Sequence, residues 1–337
     1  MMDVVDCKRD VMEKRLLGKS GLVTSAIGLG CWQLGGDFGP VDNVRAFSVL
    51  AAADKCGVSF WDTADVYGSG LSESRMGAWQ RQNPETRVIV SKVGRNSELH
   101  PSGHQYDRMR RSIEGTLERL QVGSLDLVQL HCIPFEVLKG DQVWRWLEDF
   151  RSEGLIKHYG ASVETVEEGL ECLRRPGLAS LQIILNIFRQ DAVDELLPAA
   201  QAAGVGVIAR LPLASGLLTG KFTRQTNFDR SDHRHFNADG QAFNVGETFA
   251  GLGLEKGVEL AEKLKTILPD SAPMGQLALR WILDLPQVSS VIAGASSVEQ
   301  VQQNAAAATL PPLSKELHQQ LRDFYFNDVR PLVRGNI

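Results

Sequence analysis

Hydrophobic and polar positions along this chain come in repeating blocks. Amphipathic stretches of helical period end in glycine, and short, almost continuously apolar runs follow at once. "FSVLAAADKCG" leads into "VSFWD", "IEGTLERLQVG" into "SLDLVQLH", "VWRWLEDFRSEG" into "LIKHYGAS", and "ELLPAAQAAG" into "VGVIAR". Glycine just past a helix supplies the left-handed cap that stops it. Apolar runs without polar alternation read as strands buried on both faces, which is the character of a parallel sheet covered by helices.

Eight such strands are predicted, around Ala26–Gly30, Val58–Asp62, Val88–Lys92, Leu125–His131, Ile156–Ser162, Leu181–Asn186, Val205–Arg210 and Val288–Gly294. Eight strands alternating with helices within 337 residues predict an α/β protein, a single (β/α)8 TIM barrel over residues 14–337. A doubly wound open sheet is the rival. Its G-x-G-x-x-G turn is missing, because "GLGCWQLGG" (Gly28–Gly36) has other spacing and opens no helix. Ahead of the first strand, "KRLLGKSGLVTSAIGLG" reads as a β-hairpin turning at Lys19-Ser20-Gly21, and residues 1–13 as an N-terminal tail. From Lys221 to about Leu254 the periodicity fades and the chain becomes polar and rich in glycine and aromatics. A connection that long, after strand seven, is expected to be a lid rather than filler.

Composition narrows the function classes. With 43% hydrophobic and 23% charged residues and no long uncharged apolar run, the chain offers no membrane span. A net charge of -5 gives no electrostatic case for nucleic acid or an anionic membrane as partner. Five cysteines, odd in number and without a C-x-x-C pair, predict reduced thiols and neither a disulfide framework nor a structural zinc site. No basic segment followed by an apolar run opens the chain, so a secretory signal is not expected and a cytoplasmic location is. His233 and His235 in "DHRHF" lack an obvious third ligand, so no metal is expected.

Chemistry in such a barrel gathers at the C-terminal ends of the strands. Strand two ends at Asp62, strand three at Lys92 and strand four at His131, with Tyr67 in the loop after strand two. Each has an ordinary structural reading when taken alone, as a turn former, a solvated end or a half-buried ring. Together they form a chemical set. A carboxylate beside a lysine keeps the ammonium charged, and that ammonium is expected to lower a tyrosine hydroxyl from its usual pKa of about 10. The tyrosine then donates a proton near neutral pH while the histidine orients the accepting oxygen. That is carbonyl-reduction chemistry.

These motifs resemble the aldo-keto reductases, and the likeness runs from "RLLGKSGLVTSAIGLG" to "PPLSKE". "DTADVYG", "SKVG" and "LDLVQLH" match the segments that carry the family's catalytic residues, which implies Asp62, Tyr67, Lys92 and His131 here. "YGSGLSESRMG" is similar to the family's Y-G-x-G-x-S-E-x-x-x-G stretch. The resemblance implies a nicotinamide nucleotide bound by the barrel itself, NADP(H) with NAD(H) as the alternative, and a small aldehyde, ketone or sugar as substrate. It implies Ser162 of "HYGASV" and Gln182 of "SLQIILN" at the nicotinamide carboxamide, with Val163 where asparagine commonly follows the serine. In "VIARLPLASGLLTGKF" it implies Arg210 where an aromatic ring usually stacks on the nicotinamide, and Leu213, Gly216, Leu217, Thr219 and Lys221 along the pyrophosphate. In "SVIAGASSVEQVQQN" it implies Gly294, Ser296, Gln300 and Asn304 at the adenosine end, without the basic residue usual there, so only a modest NADPH preference is expected. Trp32 is a candidate wall of the substrate pocket.

Two other functions compete with the reductase. Some proteins similar to this family are cofactor-bound regulatory subunits that depart from it at the histidine, and the presence of His131 favours turnover. A lyase using Lys92 as a Schiff base on an unrelated barrel is the other.

Overall fold

The apolar runs pair side by side and close on themselves. A computed structural model describes residues 12–337. Two short strands, β1 (Lys14–Leu16) and β2 (Val23–Ser25), pair antiparallel as the expected hairpin. Eight parallel strands follow: β3 (Ile27–Gly30), β4 (Phe60–Asp62), β5 (Val88–Val93), β6 (Leu127–His131), β7 (Tyr159–Ser162), β8 (Leu178–Ile184), β9 (Gly206–Arg210) and β10 (Val288–Gly294). They form a closed barrel in chain order, with β10 returning to β3. Residues 1–11 of the expected tail lie outside the described residues, and Met12 is buried in the core.

Strand bounds differ from expectation most at β8, which runs from Leu178 to Ile184 and stops before Asn186. The Asn186 side chain accepts from Phe188 N (2.8 Å) and donates to Leu211 O (2.9 Å), a local turn that ends the strand.

Inside the barrel, alternate residues of each strand change character along its length. Phe60, Val90, Leu127, Ile208 and Ile292 form an interior apolar cluster. Two residues further along the same strands stand Asp62, Lys92, Gln129, Arg210 and Gly294. Side chains two apart share a strand face, so the barrel is plugged with hydrocarbon below and lined with polar groups at its C-terminal mouth. Leu17, from the hairpin loop, joins the plug from the other end. The loop lies so close that a Cβ on Gly18 would sit 2.4 Å from Gly204 O, and φ at Gly18 is +54°. Only glycine combines that approach with that backbone.

Helices cover the outside. The helix Asn43–Lys55 starts where the Asp42 side chain accepts from Arg45 N at 2.8 Å. The helix Val298–Ala306 starts where Ser297 Oγ accepts from Gln300 N at 3.3 Å. These two helices pack against each other beside β3 and β10. Among the described residues, no helix is long and apolar enough to cross a membrane.

The long loop after β9 folds over the mouth with one four-residue helix (His233–Phe236) and two single 3-10 turns (Val245–Glu247, Phe249–Gly251). Residues 223–231 are mostly exposed, whereas Asp232, His233, Asn237 and residues 246–252 are buried. The lid is therefore a polar flap with a packed second half.

Candidate active site

Three neighbouring strand ends carry the centre of the site. Lys92 Nζ on β5 lies 2.5 Å from Asp62 Oδ1 at the end of β4, and both side chains are almost wholly buried. The same ammonium donates to Thr63 O at 2.8 Å and approaches the Tyr67 hydroxyl at 3.2 Å. Burial pushes Lys92 toward neutrality, but Asp62 and Tyr67 outweigh it and raise its pKa above the ordinary value. A Schiff-base lysine needs a depressed pKa to be a free amine. Lys92 is held in the opposite state.

Tyr67 corrects the electrostatic expectation. Burial raises its pKa, and the lowering influence of Lys92 does not overcome it. The phenol is thus protonated throughout the neutral range in this site, which suits a proton donor. Its ring stands edge-on to His131, with centroids 5.9 Å apart. His131 is driven well below its usual pKa, first by burial and then by Arg95, Lys92 and Arg210, so it is a neutral imidazole.

The next strands complete the ring. His131, Ser162 and Gln182 are register partners across β6, β7 and β8. Gln182 Nε2 donates to Asp62 Oδ2 at 2.8 Å, and Ser162 Oγ lies 3.5 Å from Gln182 Oε1. Gln182, expected to meet a ligand amide, thus also anchors the Asp62 carboxylate. Gln129, unnoticed in the sequence, points its amide at the same oxygen at 3.4 Å. A glutamine mid-strand carries no signal of its own; its register beside Lys92 is what brings it in.

A second charged cluster was illegible in the sequence. Glu247, on the lid, pairs with Arg95 Nη2 at 2.7 Å and with Arg210 Nη1 at 3.4 Å. Burial alone would raise the Glu247 carboxyl, but the two guanidiniums hold it down at about 2. Arg210 also donates to Val163 O at 3.2 Å. The guanidinium, which stands where the resemblance implies a ring against the nicotinamide, is tied here to the lid and to the strand-end backbone. Glu164 and Cys132 complete this corner; burial pushes the Cys132 thiol up to about 11. Their ligating atoms lie within 4.8 Å of those of Glu247, but the two arginines already neutralise that carboxylate. His233 sits buried beside Asp232, with its ring nitrogen 3.3 Å from Asp37 O.

Above Asp62, Lys92 and Tyr67 opens a cavity of about 640 Å³ walled by Trp32, Tyr67, His131, Phe236, Phe243 and Glu247. Trp32 stacks on Tyr67 at 5.6 Å and donates to Asp37 Oδ2 at 2.8 Å. It therefore lines the cavity. A narrow cleft of about 70 Å³ continues from Tyr67 and Gln182 past Arg210 to Gln33, Ile292 and Gly294. Gln33, also missed, lies so close over Gly294 that a Cβ there would be 2.0 Å from its amide nitrogen.

The remaining candidates lie on the rim, outside both spaces. Leu213, Gly216, Leu217 and Thr219 belong to an irregular turn after β9 in which Gly216 has φ +101°, and Lys221 is exposed beside it. Leu217 turns its side chain into the core against Gly257, so only its backbone is available to a ligand. Ser296 and Gln300 open the helix after β10, with Gln300 Oε1 accepting from Ser296 N at 2.7 Å. Asn304 Nδ2 donates to Gly294 O at 3.2 Å.

Comparison with known proteins agrees with this geometry. Residues 26–325 match the model of the aldo/keto reductase family. The chain is 31% identical to L-galactose dehydrogenase of Arabidopsis thaliana over 88% of each chain. It superposes on the holo form of aldo-keto reductase AKR11C1 from Bacillus halodurans with TM-score 0.75 and 27% identity, covering 93% of this chain and 96% of that one. An aldo-keto reductase from Klebsiella pneumoniae in complex with NADPH gives TM-score 0.68 at 25% identity, covering 93% and 95%. The chain belongs to the aldo/keto reductase family.

Proposed function

We propose that this oxidoreductase is an NADP(H)-dependent reductase of small carbonyl compounds in which Tyr67 is the proton donor. The observation that carries it is the Lys92 ammonium bridging Asp62 (2.5 Å) and the Tyr67 hydroxyl (3.2 Å) at the floor of the cavity. The neighbour that binds NADPH supports the cofactor. So does the cleft, where buried polar atoms without a partner among the described residues (Gln33 Oε1 and Arg210 Nε) line the path from Tyr67 to Gly294. Ser162, Gln182 and Arg210 would hold the ring end there. The turn Leu213–Lys221 would serve the pyrophosphate, and Gly294, Ser296, Gln300 and Asn304 the adenosine.

When bound, the cofactor supplies the hydride to the carbonyl carbon. The protein's part is the proton. Tyr67 donates its hydroxyl proton to the carbonyl oxygen as negative charge grows there, and the adjacent ammonium stabilises the phenolate left behind. Asp62, itself held by Gln182, keeps Lys92 charged and aimed. Neutral His131 donates a hydrogen bond to the same oxygen without competing for the proton. Water returns a proton to Tyr67 after release.

The cavity also supports a substrate class. Asp37, Glu164 and Glu168 line it beside the Glu247 carboxylate that Arg95 and Arg210 already pair, while Trp32 and Phe243 offer flat aromatic walls. Carboxylates accept hydrogen bonds from hydroxyl groups and repel anions, and aromatic faces pack on C–H surfaces. A neutral polyhydroxylated aldehyde, such as an aldose, fits this lining better than a keto acid, in line with the sugar named for the Arabidopsis relative. The free thiols at Cys31, Cys132 and Cys172 support a reducing, cytoplasmic location.

Carbonyl-dependent oxidation of NADPH across a panel of aldoses, simple aldehydes and 2-oxo acids tests the reading. The highest kcat/KM is expected for a neutral hydroxyaldehyde. A 2-oxo acid as the best substrate would overturn the substrate class. Tight NADPH binding with no turnover on any carbonyl would overturn the enzymatic reading in favour of a regulatory subunit.

A further inference from the structure

The loop after β10 has no cation of its own. Residues 293–304, "AGASSVEQVQQN", contain no lysine or arginine. Its polar side chains are largely spent inside the loop. Gln300 Oε1 takes the N–H and hydroxyl of Ser296 (2.7 and 3.2 Å), Ser297 caps the helix, and Asn304 holds Gly294 O. Yet a cation is present. Arg45, from the first turn of the helix Asn43–Lys55, donates from Nε to Ser296 O at 2.5 Å. Its main chain is fixed by the Asp42 cap, and the residue is exposed. Among the described residues its two terminal nitrogens make no hydrogen bond or ion pair, although Arg45 is near enough to help lower the Glu299 carboxyl.

The direction of the cleft says which ligand group would arrive there. The reacting ring must lie beside Tyr67 and His131, and the cleft leads from there to Ile292 and Gly294. Ser296 stands two residues beyond Gly294, on the rim. A dinucleotide threaded this way brings its far end, not its pyrophosphate, to Arg45. One edge nitrogen of the guanidinium is used to grip the loop, leaving a planar pair of donors, the geometry that suits a phosphate.

We infer that Arg45 reads the 2′-phosphate of NADP(H), supplying from the first helix of the barrel the charge that the loop after β10 lacks; this rests on the nucleotide reading above. The residue is a specificity determinant. It makes no contribution to hydride or proton transfer.

Fluorescence titration of the full chain with NADPH and NADH tests it, using wild type, Arg45→Gln and Arg45→Lys. Arg45→Gln is expected to weaken NADPH by about tenfold, the value of one charge-assisted hydrogen-bonding contact, while leaving NADH within about twofold. Arg45→Lys removes the Nε–Ser296 bond but keeps the charge, so it should retain most of the NADPH affinity. The wild-type preference should shrink in high salt. Unchanged NADPH affinity in Arg45→Gln overturns the inference. So does an equal loss for both nucleotides, or a lysine variant as weak as the glutamine one, since either means that Arg45 only shapes the loop. A wild type that binds neither nucleotide is a different result and refutes the nucleotide reading itself.

Discussion

Two buried ion pairs flank one cavity and come from different parts of the chain. Lys92 and Asp62 stand on adjacent barrel strands whose register is set by backbone pairing, Asp62 opposite Val90. Glu247 meets Arg95 and Arg210 only because a long loop returns over the mouth, and 152 residues separate Glu247 from Arg95. The first pair is positioned by a scaffold that forms regardless of it. The second is part of what holds its loop in place. Both bury charge, and removing one partner of either leaves an uncompensated ion, which typically costs about 3–5 kcal/mol. The difference lies in what is expected to be lost: the proposed chemistry in the first case, lid closure in the second.

The largest expected effect tests the chemical side. Tyr67→Phe removes the proposed proton donor and should lower turnover by at least ~10²-fold with nucleotide affinity nearly unchanged. Hydrogen exchange in residues 232–251 should not change. Near-normal turnover in this variant would remove Tyr67 from its role and with it one side of the contrast.

Glu247→Gln tests the other side. Its carboxyl, held at about 2 against an ordinary 4.5, corresponds to about 3 kcal/mol of stabilisation. The variant should open the lid, raising exchange in residues 232–251 by roughly 10²-fold, while residues 223–231, already exposed, exchange fast in both proteins. Adding NADPH should restore part of the protection if the lid closes on the cofactor. A variant that loses turnover as severely as Tyr67→Phe, with its lid still protected, would erase the distinction between the two pairs.

Acid should separate them further. Glu247 has a depressed folded pKa, so the unfolded chain binds more protons below about 4.5. Its contribution is full above about 4.5 and is lost as pH falls through about 2. His131 acts earlier. It refuses a proton that the unfolded chain accepts near 6.5, so stability declines from that pH downward. The acid limb of a denaturation curve should therefore be shallower between pH 4.5 and 2 in Glu247→Gln than in wild type. Identical limbs would mean the lid carboxylate is not held low.

The smallest expected effect is on the pH–rate profile. With the Tyr67 pKa raised, carbonyl reduction should be flat through neutral pH and fall only above the ordinary tyrosine value of about 10. A decline near pH 8 would restore the lowered phenol that residue types alone suggested.

That correction shows how sequence and structure divide the information. Residue types in "DTADVYG" and "SKVG" were enough to bring lysine, carboxylate and phenol together, because strand ends in a barrel share one rim. They were not enough for the sign of the Tyr67 shift, since desolvation depends on what covers the ring. Trp32 and the lid do that from positions 35 residues before and more than 150 after it.

The alternation of amphipathic helix, glycine and apolar strand was sufficient for the eight-stranded barrel, since period and caps are local properties that the backbone obeys without reference to distant residues. The hairpin, the long loop, the three strand-end residues and Tyr67 in the loop behind them followed from the same local rules. Gln129, Gln33, Glu247, Arg95 and Arg45 did not. Each is an ordinary polar residue whose meaning is a partner on another strand, helix or loop. Strand register put Gln129 beside Lys92 and within reach of Asp62, the returning lid put Glu247 between two arginines, and the packing of the first helix on the helix Val298–Ala306 put Arg45 at Ser296. Contacts of that kind depend on the closure of the whole barrel, so no window of the sequence contains them.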